Sequence, residues 1–304
     1  MIGDRIMDMN KLLLLFVLCL MLIFSACSVP HADPTPTPTE EPQPTETPTP
    51  QPTPTIPPSA ARVNGLYVAI EDLDSKKAQL RDAYEQMGED IPDDSLLREE
   101  ALNDLIDETL FLSAAQMQGV APDAVDLDTQ IQALCISLGS CDAVKEWQSK
   151  NHYSEDSFRR ALERELAAAN MREIIFEQLK NEEQLHVYRI WSYRRSDLDD
   201  VLNRLNMGVS FTEMARNYDE ATGGDMSWFP RGVLFSKDVE DKIFALNAGE
   251  HTEIMEIDGV YNVFYVAEKQ TGRSMDTQVE QLAQRKALSD WLEIQKSQAV
   301  IENL

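Results

Sequence analysis

The sequence predicts an α+β chain. A lobe of helices over residues 61–184 is followed by a lobe with the element order β-α-α-β-α-β-β over 185–271, and then by one more helix. Three observations predict it. Between Leu96 and Leu179 apolar residues recur every three or four positions, the period of a helix with one buried face. From Leu185 the pattern turns to alternation and closes on Asp258-Gly259 between two apolar runs, a strong hairpin signal. Of 15 prolines, 12 lie between Pro30 and Pro58, which separates a low-complexity tether from a folded body.

The chain has 304 residues, with 27 Lys+Arg against 53 Asp+Glu and a formal net charge of -26. Such a field repels phosphate backbones and excludes nucleic acid as a partner. The four histidines are scattered, and no CxxC or HExxH spacing appears, so neither a metal site nor a cofactor is expected.

Leu12 to Phe24 is an unbroken apolar run behind Lys11. It is short of the ~20 residues that a membrane-spanning helix needs, and it ends in small residues as a cleaved signal does. Phe24-Ser25-Ala26-Cys27 resembles a bacterial lipoprotein signal, which implies lipidation of Cys27, a signal peptide over 1–27 and a body held at the extracytoplasmic face of the cell membrane. The alternative is an uncleaved anchor with an incidental cysteine. Residues 28–60 are Pro/Thr-rich; in extended polyproline II, at about 3.1 Å per residue, they would form a stalk on the order of 90 Å long.

In the helical lobe Val63 to Val68 reads as a short extended stretch. Leu96–Gln118 follows, with Leu102, Leu105, Ile106 and Leu110 on its buried face, entered through Pro92-Asp93-Asp94-Ser95 and stopped by Gly119. A helix from Asp123 to Gly139 and a short one over 142–150 come next. The longest starts at Ser154, its N-cap, and runs to about Leu179 with Phe158, Leu162, Leu166, Ala169 and Ile174 facing the core. Cys135 and Cys141 lie six apart across a helix end. A bridge between them and a pair of free thiols are both open.

In the second lobe Leu185–Tyr193 reads as a strand. Ser196 is expected to cap a helix carrying Leu198, Val201, Leu202 and Leu205, and Ser210-Phe211-Thr212-Glu213 to open the next with a capping box. Asp225–Phe229 forms a strand, Ser236–Leu246 a helix, and Glu253–Ile257 with Val260–Ala267 the closing hairpin. Asp276–Gln298 is the last helix.

The helical lobe resembles the N-terminal domain of SurA-like and PrsA-like extracytoplasmic foldases through Val63-Asn64-Gly65, the run Leu97-Arg98-Glu99-Glu100-Ala101-Leu102-Asn103-Asp104-Leu105-Ile106, and Tyr153-Ser154-Glu155-Asp156-Ser157-Phe158-Arg159. That resemblance implies a lobe that holds unfolded chains and shares its core with the C-terminal helix (272–304 packing back), through Leu282, Leu288, Trp291 and Leu292. The second lobe resembles the parvulin (PpiC-type) peptidyl-prolyl isomerases through Gly223-Gly224-Asp225-Met226-Ser227-Trp228-Phe229, Arg231-Gly232 and Phe244-Ala245-Leu246.

Such a domain rotates an X–Pro amide and breaks no bond. It seats the proline in an apolar socket and stabilises the twisted amide with preorganised donors. The resemblance puts the socket at Met226, Leu234 and Val239, with Val239 in place of a phenylalanine. It puts the polar catalytic positions at Arg189, Ala221, Ile257 and Asn262, all substituted. His186 lies three residues from Arg189 on a strand and so faces the other way. Asp219 or Glu220 could replace the missing carboxylate if their short loop folds over.

The expected function is that of a membrane-anchored folding factor of the parvulin isomerase family, with weak or lost catalysis. Its expected partners are unfolded or partly folded exported polypeptides, with the membrane engaged through the N-terminal lipid. The alternative is a non-catalytic holdase that keeps the isomerase fold as a client-binding scaffold.

Overall fold

The computed structural model describes residues 58–234 and 236–304. Cys27, the segment 1–27 and most of the stretch 28–60 lie outside the described residues.

The first element is a hairpin, β1 (Ser59–Val63) and β2 (Leu66–Ala69), turning through Asn64 and Gly65 with φ of 50° and 91°. Positive φ at both central residues suits a two-residue hairpin turn, which explains Asn-Gly here. A strand from the other end of the chain, β7 (Ile301–Asn303), pairs antiparallel with β1, giving the order β2-β1-β7. The helical lobe thus carries a small sheet made from both ends of the described chain. Its first strand starts at Ser59, inside the stretch assigned to the stalk.

Five helices follow: α1 (Ile70–Met87), α2 (Asp94–Gln118), α3 (Ala124–Ser137), α4 (Cys141–Lys150) and α5 (Glu155–Lys180). Their caps are local chemistry. The Asp93 carboxylate accepts from the N–H groups of Ser95 and Leu96, Asp123 and Asp126 form a capping box, and Ser154 pairs reciprocally with Ser157. Gly119 ends α2 at φ 71°, the left-handed conformation a helix C-terminus favours. Cys135 and Cys141 are bonded to each other across the α3–α4 corner, with Cα atoms 4.4 Å apart.

The buried face of α5 departs from the expected one. It runs through Phe158, Leu162, Ala167, Ala168, Met171, Ile175 and Leu179, while Ala169 and Ile174 are only partly buried. The helix changes partners along its length, which is why one periodic stripe does not describe it. Phe158 and Leu162 pack with Leu127 of α3; from Ala167 onward the neighbours are Phe111, Leu112, Ala114 and Ala115 of α2.

The last helix, α9 (Thr277–Gln298), returns to this lobe: Leu288, Trp291 and Leu292 pack on the α2–α5 core, and the Trp291 ring stacks on Phe111 at 4.5 Å. On its earlier turns the buried residue is Ala283 rather than Leu282.

The lobe also buries charge. Asp72 (2% exposed) takes both Arg160 and Arg164 (6% exposed), Arg164 also donates to Glu108 at 3.0 Å, and Lys76 reaches Glu108 at 2.8 Å. Burial alone would raise the Glu108 pKa, but Lys76 and Arg164 outweigh it and hold the carboxyl below the usual range.

The C-terminal lobe is a four-stranded antiparallel sheet of order β4-β3-β6-β5: β3 (Glu183–Ser192), β4 (Asp225–Pro230), β5 (Met255–Ile257) and β6 (Val260–Thr271). Its helices are α6 (Arg195–Asn206), α7 (Phe211–Tyr218) and α8 (Lys237–Phe244). One face of the sheet presents Ile190 and Val263 to Leu198 and Val201 of α6 and to Phe211 and Met214 of α7. The other presents Leu185, Val187, Phe264 and Val266 to Val239, Ile243 and Phe244 of α8.

Two expected caps are absent. Arg194, not Ser196, precedes α6 and makes no side-chain cap bond; the turn is held instead by Asp197, which accepts from Ser192 and Arg194. Ser210 makes no cap bond either, because its hydroxyl is engaged with that of Thr212.

Candidate functional site

The α8 face of the sheet opens into a cleft of about 1290 Å³ lined by Arg189, Met226, Leu234, Val239, Ile257 and Phe264 among others. Strand alternation decides which residues reach it. On β3, Val187 lies on the α8 face, so Arg189 does too. On β6 the register pairs Phe264 with Arg189 and Asn262 with Trp191, which sets Asn262 on the same face. The Asp258-Gly259 turn, with φ of 49° and 77°, fixes the β5–β6 register and places Ile257 opposite Val260.

The loop after β4 supplies the remaining wall. The Glu240 carboxylate (7% exposed) accepts from the backbone N–H of Gly232 at 2.8 Å and of Leu234 at 3.3 Å, holding Leu234 at the cleft. Gly224 is needed where the chain enters β4 alongside β3. The Arg189 N–H donates to its carbonyl at 2.8 Å, its φ is 73°, and a Cβ there would stand 2.3 Å from the Arg189 carbonyl oxygen.

Arg189 and Asn262 form one connected pair. Arg189 donates through Nε to the side-chain oxygen of Asn262 at 2.7 Å. Asn262, 0% exposed, spends its own Nδ2 on the Val260 carbonyl at 2.7 Å. The guanidinium also lies 5.9 Å from the centre of the Trp191 ring. No described carboxylate pairs with Arg189, and burial lowers its pKa.

Of the residues singled out from sequence, the cleft brings together Arg189, Ile257, Met226, Leu234 and Val239, with Asn262 behind Arg189. Ala221 is not among the lining residues. It sits in an exposed turn closed by Asp219, whose carboxylate accepts from the N–H groups of Ala221 and Thr222 and from the Thr222 hydroxyl at 2.6 Å. The Thr222 hydroxyl, with these backbone donors, holds Asp219 below the usual carboxylate range. Asp219 is therefore committed to its own loop. His186 lies away from the cleft, hydrogen-bonded to Asp225 at 2.8 Å and stacked on Trp228.

Phe264 and Met255 were not singled out from sequence. Phe264 gives the cleft an aromatic wall although Val239 stands where the resemblance puts a phenylalanine. The alternation Asn262, Phe264, Val266 on β6 was the signal that could have found it.

The arrangement can seat an apolar ring and present N–H donors to it. Among the described residues, no group of three or more His, Cys, Asp or Glu is placed to hold a metal ion, and no helix is long and apolar enough to cross a membrane.

Comparison with known proteins gives two family matches. A SurA-like N-terminal domain matches residues 49–185, and a PPIC-type PPIASE domain matches residues 193–268. The foldase protein PrsA of Geobacillus kaustophilus is 26% identical over 89 residues, which is 28% of this chain and 31% of that one; the match thus spans about a third of the relative's length. A crystal structure of the peptidylprolyl isomerase PrsA from Bacillus cereus aligns at 15% identity over 76% of this chain and 85% of that one, with a TM-score of 0.42. A structure from work on two SurA-like chaperones of Campylobacter jejuni aligns at 15% identity over 81% of this chain and 98% of that one, with a TM-score of 0.26.

Proposed function

We propose that this chain, a PrsA/SurA-like protein joining a SurA-like N-terminal domain to a PpiC-type isomerase domain, is an extracytoplasmic folding factor for exported polypeptides whose prolyl isomerisation is weak. The observation that carries this reading is the cleft itself. Its apolar lining (Met226, Leu234, Val239, Ile257, Phe264) suits a proline ring, while Arg189 on its wall is tied to Asn262, which is buried behind it.

Rotation about an X–Pro amide faces a barrier of roughly 18–20 kcal/mol and needs tens to hundreds of seconds uncatalysed. Seating the ring and removing water from the amide lowers that barrier somewhat. Each missing donor worth about 1.4 kcal/mol costs tenfold in rate. With Ala221 outside the cleft and Asn262 spent on its neighbours, such losses accumulate.

The apolar run and Cys27 support a lipid anchor at the membrane, with 28–60 as the stalk and residues 61–184 plus 272–304 as the client-holding lobe. The competing reading, a holdase with no isomerase activity, is favoured by the same Arg189–Asn262 bond.

Two assays run in parallel on the purified chain test the proposal: protease-coupled isomerisation of a proline peptide, and suppression of aggregation of a denatured client. Weak turnover with suppression is expected. Suppression with no turnover selects the holdase, and strong turnover without suppression overturns both. Radiolabelled fatty-acid incorporation that vanishes in Cys27→Ser tests the anchor.

A further inference from the structure

Cations are outnumbered in this chain by 27 to 53, and in the C-terminal lobe many of them are paired. Arg194 meets Asp197, Arg204 meets Asp200, Arg231 and Lys237 meet Asp241, and Lys269 meets Glu183. Arg189 stands apart. It is half-buried, lines the cleft, and has no described carboxylate partner.

Removing a guanidinium from water without an anion is costly, and an incoming carboxylate would offset that cost through charge-assisted hydrogen bonds. The geometry also says which bonds remain. Asn262 occupies Nε and is itself fixed by Val260, so the Nε side of the guanidinium is taken. The two terminal nitrogens are left, a fork that matches the two oxygens of one carboxylate end-on. Met226, Leu234 and Val239 line the same cleft.

We propose that the cleft recognises a carboxylate next to the apolar group it seats, with Arg189 as the anion's partner: the ligand class is a client segment in which Asp or Glu adjoins proline. The proposal rests on the reading of the cleft as a proline-peptide site. The carboxylates at the rim, Asp238, Glu253, Glu256 and Asp258, are all exposed and so are screened by solvent and salt, and exposed Lys242 opposes them. A pair formed at half-buried Arg189 is screened far less.

Calorimetric titration of the full chain with three blocked tetrapeptides, Ala-Glu-Pro-Ala, Ala-Gln-Pro-Ala and Ala-Lys-Pro-Ala, tests this. The Glu peptide is expected to bind on the order of tenfold more tightly than the Gln peptide, the worth of one charge-assisted pair, and the Lys peptide more weakly than either. Arg189→Gln should erase the Glu-over-Gln preference, bringing the ratio of the two affinities to about one whatever happens to either affinity alone. Arg189→Lys, which keeps the charge without the fork, should retain part of it. Equal binding of the Glu and Gln peptides overturns the anion site but leaves the proline reading standing. A preference that survives in Arg189→Gln overturns the assignment to this residue. No binding by any of the three overturns both. Unchanged circular dichroism of the variant shows that a lost preference is not unfolding.

Discussion

The carboxylate of Glu240, in the first turn of α8, accepts a 2.8 Å hydrogen bond from the backbone N–H of Gly232, and by that bond the loop bearing Leu234 is held against the cleft. Replacing Glu240 with Ala leaves two backbone donors in a half-buried loop without their acceptor, a loss of about 1–3 kcal/mol. Urea denaturation should read that loss, and affinity for a proline peptide should fall with it. Glu240→Gln, which keeps an acceptor oxygen, should lose less.

Asp72 holds two arginines at the centre of the helical lobe. Asp72→Ala leaves Arg164, 6% exposed, with Glu108 as its remaining anion, and should cost about 3–5 kcal/mol by the usual penalty for breaking a buried pair. Thermal unfolding checks this.

The same network makes a pH prediction. The Glu108 carboxyl titrates lower folded than unfolded, so its stabilisation is complete above the unfolded glutamate range, near pH 4.3, and is lost as pH falls through the depressed value. Glu108→Gln should therefore flatten the acid limb of a stability-versus-pH curve. An unchanged limb would show that Glu108 does not set it.

Neighbouring glycines should respond differently to alanine. At Gly224 a Cβ meets the Arg189 backbone oxygen at 2.3 Å, whereas at Gly223 the nearest atom is a side-chain carbon, Arg216 Cγ, at the longer distance of 3.3 Å. Both have positive φ, a strain of about 1–3 kcal/mol for a non-glycine residue. Gly224→Ala adds a clash that backbone must absorb, so it should destabilise more than Gly223→Ala and disturb the cleft through Arg189. Denaturation midpoints of the two variants check the order.

Ala221→Asp should not restore catalysis, because position 221 lies in a solvent-exposed turn that Asp219 already closes. Arg189→His combined with Asn262→His changes the two groups that do meet at the cleft, and should raise turnover where Ala221→Asp does not. A coupled isomerisation assay on both variants separates them.

The sequence was most legible where structure is made locally. Asp93, Asp123 and Ser154 cap the helices they precede, and Asp258-Gly259 turns the hairpin. The β-α-α-β-α-β-β order could be read because each element announces itself over a few residues. What escaped was non-local. Strand β7 has no buried residue and exists only by pairing with β1, at the other end of the described chain. Helix α1 starts without a side-chain cap and buries Asp72 and Ser75 alongside Leu73, so its stripe is not an apolar one. Asp72 and Arg164 read as solvated surface until their partners are known. Cleft membership followed the same division. Alternation set His186 and Arg189 on opposite faces of β3, but the bond of Arg189 to Asn262 depends on the β3–β6 register, and the position of Ala221 on the course of a loop.

The central claim is that the cleft still accepts proline peptides while its catalytic groups are substituted. Two-dimensional exchange NMR of a proline peptide in the presence of the chain reads binding and rate together. The account predicts that peptide resonances shift on addition of protein while cis–trans exchange stays orders of magnitude slower than an unsubstituted parvulin domain gives at the same concentration. Exchange as fast as that domain's, or an absence of shifts, would contradict it.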